Sequence, residues 1–295
     1  MTNRRHFLQA AGAAALAANF PALSAPPGVA GRLIPGTSES LSTVGLGNSN
    51  AFRQRDFENS RDLLKTYFSR GGRYVDCSGD GALLVASTAR SLGHGSDLFL
   101  GAYFSGADAD MSTEAAAQLR ATAGKPSLDL MHTYPEDGVP HWDVFRRWKD
   151  EGLTRFIGLA RHNVRYYDMM MKIMATGTLD FLQVNLSPLE TEAEERILPM
   201  AMDKGVAVTI NRPFVNGRYF SIVKGQELPA WAVEFDCTSW AQFSIKYVLS
   251  HPAVTCVLTE TANPKHLLDN LGGGIGRLPS QQTRKKMRKL IRSFS

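Results

Sequence analysis

Along this chain, short apolar runs alternate with longer stretches whose apolar residues fall three and four positions apart. The clearest case spans residues 179–214. Phe181, Leu182 and Val184 make a strand-like run carrying the polar residues Gln183 and Asn185, with Ser187 just beyond. An acidic helix start, Thr191-Glu192-Ala193-Glu194-Glu195, leads into Ile197, Leu198, Met200 and Ala201. Lys204-Gly205 then supplies a stop before a second strand at 206–210. Acid at a helix start suits the positive end of its dipole, and Lys-Gly suits its finish. Strand, helix, strand with short links is the parallel crossover unit of α/β proteins.

The same unit recurs through most of the chain. Strand patterns at 44–47, 74–77, 98–104, 128–132 and 155–160 alternate with helical patterns at 58–69, 83–92, 112–123, 141–150 and 164–174. After the stretch at 179–214 come a helix at 241–249, an eighth strand at 254–259, a helix opened by Asn263-Pro264 and a terminal helix at 281–293. Eight strands alternating with helices over about 250 residues predict a single (β/α)8 TIM barrel. A doubly wound sheet is the rival, but no glycine-rich nucleotide loop follows the first strand. Gly45-x-Gly47 opens no helix pattern, and Gly272-Gly273-Gly274 reads as a cap and turn. In a barrel the chemistry gathers at the C-terminal strand ends, here 185–188 and 211–214.

Composition and charge narrow the function classes. The 295 residues are 43% apolar with a net charge of +5, and loss of residues 1–24 removes Arg4 and Arg5, leaving +3. That balance, with no basic stripe interleaved with aromatics, argues against nucleic acid. Thr2-Asn3-Arg4-Arg5-His6-Phe7-Leu8 precedes a small-residue apolar run at 10–20 that Asn19 interrupts. It is too short for a membrane span and resembles a bacterial twin-arginine export signal. Residues 1–24 are therefore expected to engage the twin-arginine export machinery and deliver the chain to the periplasm, the alternative being a retained N-terminal anchor. Residues 25–42 read as a linker, and residues 43–295 as the barrel. Cys77, Cys237 and Cys256 offer no metal-ligand spacing; buried thiols are the reading, with one disulfide as the alternative. The methionine-rich segment 166–174 reads as core packing at helical spacing. The cation-rich terminal helix reads as a solvated face docked through its apolar side, with contact to an anionic membrane surface as the alternative.

The landmarks VGLGNS (44–49), RYVDCSGDG (73–81), GLTRFIGLARHN (152–163), FLQVNLS (181–187), RILPMAMDKGVAVTINRPF (196–214) and SHPAVTCVLTETANPKHLLDNL (250–271) come in an order that resembles the aldo-keto reductases, in particular an exported bacterial branch. The resemblance implies an NADP(H)-dependent oxidoreductase of a small carbonyl or alcohol. In such enzymes a Tyr protonates the carbonyl oxygen, a Lys lowers its pKa, an Asp pairs with the Lys and a His polarises the substrate. A phenol of ordinary pKa about 10 needs that help at neutral pH. The Asp falls on Asp76. The Tyr position falls on Gly81 and the Lys position on Tyr103, so the catalytic set is incomplete. The His position falls on His132 or, with a two-residue loop shift, on Tyr134.

For the cofactor, the resemblance implies that Gln183 holds the carboxamide, with Ala160 and Arg161 at the usual polar pair and Arg212 ending the next strand. Thr261, Lys265, His266 and Asn270 would form the adenosine-phosphate site, beside a Glu260 that repels a 2′-phosphate. Arg161 and Arg212 end two strands and read as converging on one anion, or as salt bridging with Asp76 or Glu260. Tyr103 reads as a relocated proton donor of near-ordinary pKa or as a packing residue. The alternative function is a non-catalytic barrel that binds a small anionic ligand or a protein partner.

Overall fold

In the computed structural model, which describes residues 28–294, eight parallel strands close on themselves. A hairpin of β1 (Gly31–Leu33) and β2 (Ser40–Ser42) comes first, then the barrel strands β3 (Val44–Leu46), β4 (Tyr74–Cys77), β5 (Phe99–Tyr103), β6 (Leu128–Thr133), β7 (Thr154–Ala160), β8 (Phe181–Asn185), β9 (Ala207–Asn211) and β10 (Val254–Thr259). Each pairs with the next, and β10 pairs with β3 to close the ring. The expected TIM barrel is the fold. The export reading of residues 1–24 lies outside the described residues.

Helices α1 (Asn50–Arg53), α2 (Phe57–Ser69), α3 (Asp80–Ser91), α4 (Ala109–Ala123), α5 (Pro135–Gly138), α6 (Trp142–Asp150), α7 (Tyr167–Ala175), α8 (Ile197–Asp203), α9 (Arg218–Ile222), α10 (Trp240–Leu249), α11 (Pro264–Gly272) and α12 (Gln281–Arg292) surround it. Side-chain caps from Asp56, Ser239, Asn263 and Ser280 start α2, α10, α11 and α12. Two expected helices are shorter. The acidic start at 191–195 is a 3-10 turn, Glu192–Glu194, and α8 begins only after Arg196. Likewise Val164–Tyr166 is 3-10 and α7 follows. Gly47 is followed, three residues on, by the single-turn α1, capped by Ser49.

Residues 25–42 are not merely a linker. The β1–β2 hairpin covers the N-terminal end of the barrel, where Ile34 and Leu41 pack with Tyr74, Phe99, Leu130 and Phe181. Arg32 fixes it by donating to the carbonyls of Leu249, at 2.6 Å, and Val254. A strand pattern of three residues is too short to read against its polar neighbours, so the sequence hides this floor.

Strand period two then builds the interior in layers. Phe99, Phe156 and Phe181 fill the bottom, Tyr74 and Leu130 the middle. Asp76, Tyr103, His132 and Gln183 arrive together at the top because each lies two or four residues along its strand from one of these. Outside the ring, Tyr67 of α2 pins β3 to β4: its hydroxyl lies 3.1 Å from the Val44 carbonyl and 2.9 Å from the Tyr74 carbonyl, and 2.9 Å from Ser42 Oγ.

Candidate active site at the barrel mouth

Asp76 ends β4 almost fully buried, at 4% exposure. Its Oδ2 accepts from the Tyr74 hydroxyl at 3.0 Å and from Gln183 Nε2 at 3.2 Å, and lies 3.1 Å from His132 Nε2. His132 is fully buried; its Nε2 hydrogen-bonds the Tyr74 hydroxyl at 3.3 Å, and its Nδ1 has no partner. Two glycines make the space. A Cβ on Gly101 would stand 2.8 Å from Asp76 Oδ2, and one on Gly158 would stand 2.7 Å from His132 Nδ1.

Tyr103 lies over this pair. Its ring stacks on His132 with centroids 5.3 Å apart, and its hydroxyl donates to Gln183 Oε1 at 3.1 Å. Burial first, then the charge of Asp76, pushes the phenol well above its ordinary range. The expectation of a near-ordinary pKa is therefore corrected: after burial, the charge that acts most on the phenol is the Asp76 anion. His132, beneath Tyr103, faces Asp76 and not the open mouth. The residue that reaches the mouth from this segment is Tyr134, at 47% exposure.

The mouth opens into a cavity of about 340 Å³ bounded by Asp76, Tyr103, Gln183, Asn211, Arg212 and Glu260, with Arg53, Tyr134 and Arg161 on its rim. Arg161 and Arg212 do converge here, and their acid partners are neither Asp76 nor Glu260. Arg161 pairs with Glu136 and is held between the rings of Tyr134 and Tyr166, at 4.7 and 4.9 Å. Arg212 lies 3.9 Å from Glu190. The Nε atoms of both arginines are buried without a partner, as is Asn211 Oδ1. Burial, then Arg212 and Arg161, keeps His162 below its usual range, as a positive local field requires.

The segment after β9 shapes this wall. Arg212, Val215 and Asn216 all take left-handed backbone, with φ of 53°, 49° and 53°. Such residues cost about 1–3 kcal/mol each and cluster where a loop is held for function. Ser244 Oγ holds the turn by donating to the Pro213 carbonyl at 2.6 Å.

A second cavity, about 370 Å³, lies beyond Glu260 and is bounded by Phe214, Phe220, Thr261, His266 and Asn270. Glu260 borders both, so the two are lobes of one cleft. Its carboxyl is pushed upward by burial and by Asp76, against Arg53 at 4.0 Å. Thr261 and Asn270 both border this lobe. Lys265 sits exposed in the first turn of α11 and does not border the lobe.

Sequence reading missed Tyr74 and Arg53 and gave Asn211 no role beyond ending a strand. Tyr74 was detectable, since it lies two residues before Asp76 and so on the same face. Asn211 matters because Gln183 is already occupied, accepting from Tyr103 and Asn211 Nδ2 and donating to Asp76. Cys77 is no nucleophile: burial pushes its thiol up to about 12. All three cysteines are free and buried. Among the described residues no cluster of metal-binding side chains is present.

Gly81 has no room for the phenol that the resemblance would put there. Its Cβ would lie 2.8 Å from Cys77 Sγ and 3.3 Å from the Phe52 carbonyl oxygen, because α1 closes over it. Gly81→Ala is expected to destabilise the chain by about 1–3 kcal/mol through overpacking. Adding Cys77→Ala should recover most of that loss in urea denaturation; equal destabilisation of both variants would show that the contact is not the cause.

Comparison with known proteins accords with this barrel. Residues 130–290 match the model of the aldo/keto reductase family. Among solved structures, an aldo-keto reductase from Bacillus halodurans in its holo form superposes with a TM-score of 0.71 at 16% identity, covering 89% of this chain and 96% of its own. An aldo-keto reductase from Klebsiella pneumoniae in complex with NADPH gives 0.71 at 15%, covering 90% and 95%. Identities this low carry the fold alone. Among curated protein sequences none matches the chain. With more than half of its length matched by the family model, the chain belongs to the aldo/keto reductase family.

Proposed function

We propose that the barrel is an NADP(H)-binding oxidoreductase that reduces a small carbonyl compound, with Tyr103 as its proton donor. The observation that carries this reading is the two-lobed cleft at the C-terminal strand ends, with lobes of about 340 and 370 Å³. Its unpartnered atoms fit the cofactor. Asn211 Oδ1 is a free acceptor for a carboxamide, and the Nε atoms of Arg212 and Arg161 are free donors for phosphate or a substrate anion. Thr261, His266 and Asn270 would hold the adenosine end. When bound, NADPH would supply the hydride.

The chain's own contribution is to place and protonate the carbonyl oxygen. Tyr103 remains a neutral phenol across neutral and mildly alkaline pH, because burial and Asp76 both oppose its ionisation. A neutral phenol protonates an alkoxide readily, since an alkoxide is the far stronger base. It cannot accept a proton from an alcohol at neutral pH, because that needs the phenolate first. Having given its proton, Tyr103 would regain one from water in the cavity it lines before the next turnover. Asp76, Tyr74 and His132 hold Gln183 and Tyr103 in place.

A second reading, a non-catalytic barrel that binds a small anion, is favoured by one observation: Asp76 is engaged by Tyr74 and Gln183 while the arginines line the cavity. Fluorescence titration separates the two. Micromolar NADPH binding that exceeds NADH binding is expected. Glu260→Gln should tighten NADPH by up to about tenfold, roughly 1.4 kcal/mol, by removing a carboxylate from the phosphate path. Lack of NADPH binding at millimolar concentration, with retained affinity for simple carboxylates, would leave only the second reading.

The export reading of residues 1–24 accompanies this proposal, supported by the twin arginine and the short apolar run. Replacing both Arg4 and Arg5 with Lys should retain a folded fusion reporter in the cytoplasm; unchanged export would refute the twin-arginine route.

A further inference from the structure

A groove of about 730 Å³ runs along the flank of the barrel and shares no lining residue with the cleft. One wall is α12; the floor is Tyr247 and His251 at the end of α10, with Glu194 beyond. Along α12, Arg284, Lys285, Arg288, Lys289 and Arg292 fall at successive offsets of one, four, five and eight from the first, which is a single helical stripe. The adjoining stripe, Met287 and Ile291, is buried against the barrel. The apolar docking expected of this helix explains its buried side. It does not explain why the other side lines a concavity.

One of the five cations is already committed. Arg284 is 6% exposed, lies 4.0 Å over the Tyr247 ring, donates to the Tyr247 carbonyl at 3.0 Å and makes a two-pronged pair with Glu194. Glu194 is the one carboxylate on the groove lining, and Arg284 neutralises it. No ion pair joins Lys285, Arg288, Lys289 or Arg292 to any carboxylate among the described residues. Like charges four apart, as in 285/289 and 288/292, work against a helix. Burial and Arg284 also keep His251 below its usual range, so the floor is a poor place for a further proton. The groove thus has a neutralised base and four cations with no acidic partner among the described residues.

We propose that this groove binds a compact phosphate-bearing polyanion, gripped by Lys285, Arg288, Lys289 and Arg292 against the fixed Arg284–Tyr247 wall. Several negative charges within one small volume are needed to answer four cations, and oligophosphates carry them where a single carboxylate does not. Free oligophosphate and the phosphates of lipid headgroups share this chemistry. The site is independent of the cleft and of the reductase reading.

Calorimetric titration of the purified chain with sodium tripolyphosphate tests it. Binding should be micromolar at low salt and weaken about tenfold or more at physiological salt. The combined variant Lys285→Ala, Arg288→Ala, Lys289→Ala, on a largely exposed face, should lose about 100-fold in affinity with its melting temperature and NADPH titration unchanged. Sedimentation with phosphatidylglycerol vesicles, competed by tripolyphosphate, would assign the groove to headgroups. No sedimentation would assign it to free oligophosphate. Absence of tripolyphosphate binding at millimolar concentration, vesicle binding without it, or binding that survives the combined variant would overturn the proposal.

Discussion

The mouth of this barrel depends on one buried carboxylate. Asp76 lies across the axis with three neighbours on a single oxygen, and every other group at the top of the interior is placed by that fact. A charged acceptor out of water is costly unless its hydrogen bonds are made. Tyr74 and Gln183 make them, with His132 bonded to the Tyr74 hydroxyl behind, and in doing so each loses freedom to do something else. Gln183, held at both ends of its amide, presents Asn211 to the cavity in its place. Tyr103, stacked on His132 and bonded to Gln183, closes the network from above. The glycines at 101 and 158 are the steric counterpart of this arrangement, since a methyl group at either would displace the carboxylate or the imidazole.

The fold was legible because barrel strands and helices each write their period into the sequence. All eight barrel strands were readable to within about two residues at their ends, since a strand buried on both faces between helical stretches leaves a strong apolar run. Legibility failed where periods are too short to count. The hairpin floor at 31–42 has three-residue strands, and the single-turn helices α1, α5 and α9 are set by tertiary contact. The left-handed backbone at Arg212 and Val215 has no glycine to announce it.

The site was half legible for a different reason. Strand-end position put Asp76, Tyr103, His132, Gln183, Arg161 and Arg212 at one end of the barrel, and they are there. Which neighbour each would choose was not readable, because partners come from strands far apart in the chain. Arg161 takes Glu136 and Arg212 approaches Glu190, both from loops, where the sequence offered Asp76 and Glu260. His132 turns inward to Asp76 instead of outward. The electrostatic consequence for Tyr103 follows only from that three-dimensional choice.

The proposed proton donor sits on β5, above an anion and without a lysine, so it keeps its proton through neutral pH. The most direct measurement is the pH profile of carbonyl reduction by the chain and by Tyr103→Phe, with NADPH affinity followed alongside. The account predicts turnover that is flat from about pH 6 to 9, with kcat about 100- to 10,000-fold lower in Tyr103→Phe and cofactor affinity unchanged. Turnover indifferent to Tyr103→Phe would contradict it.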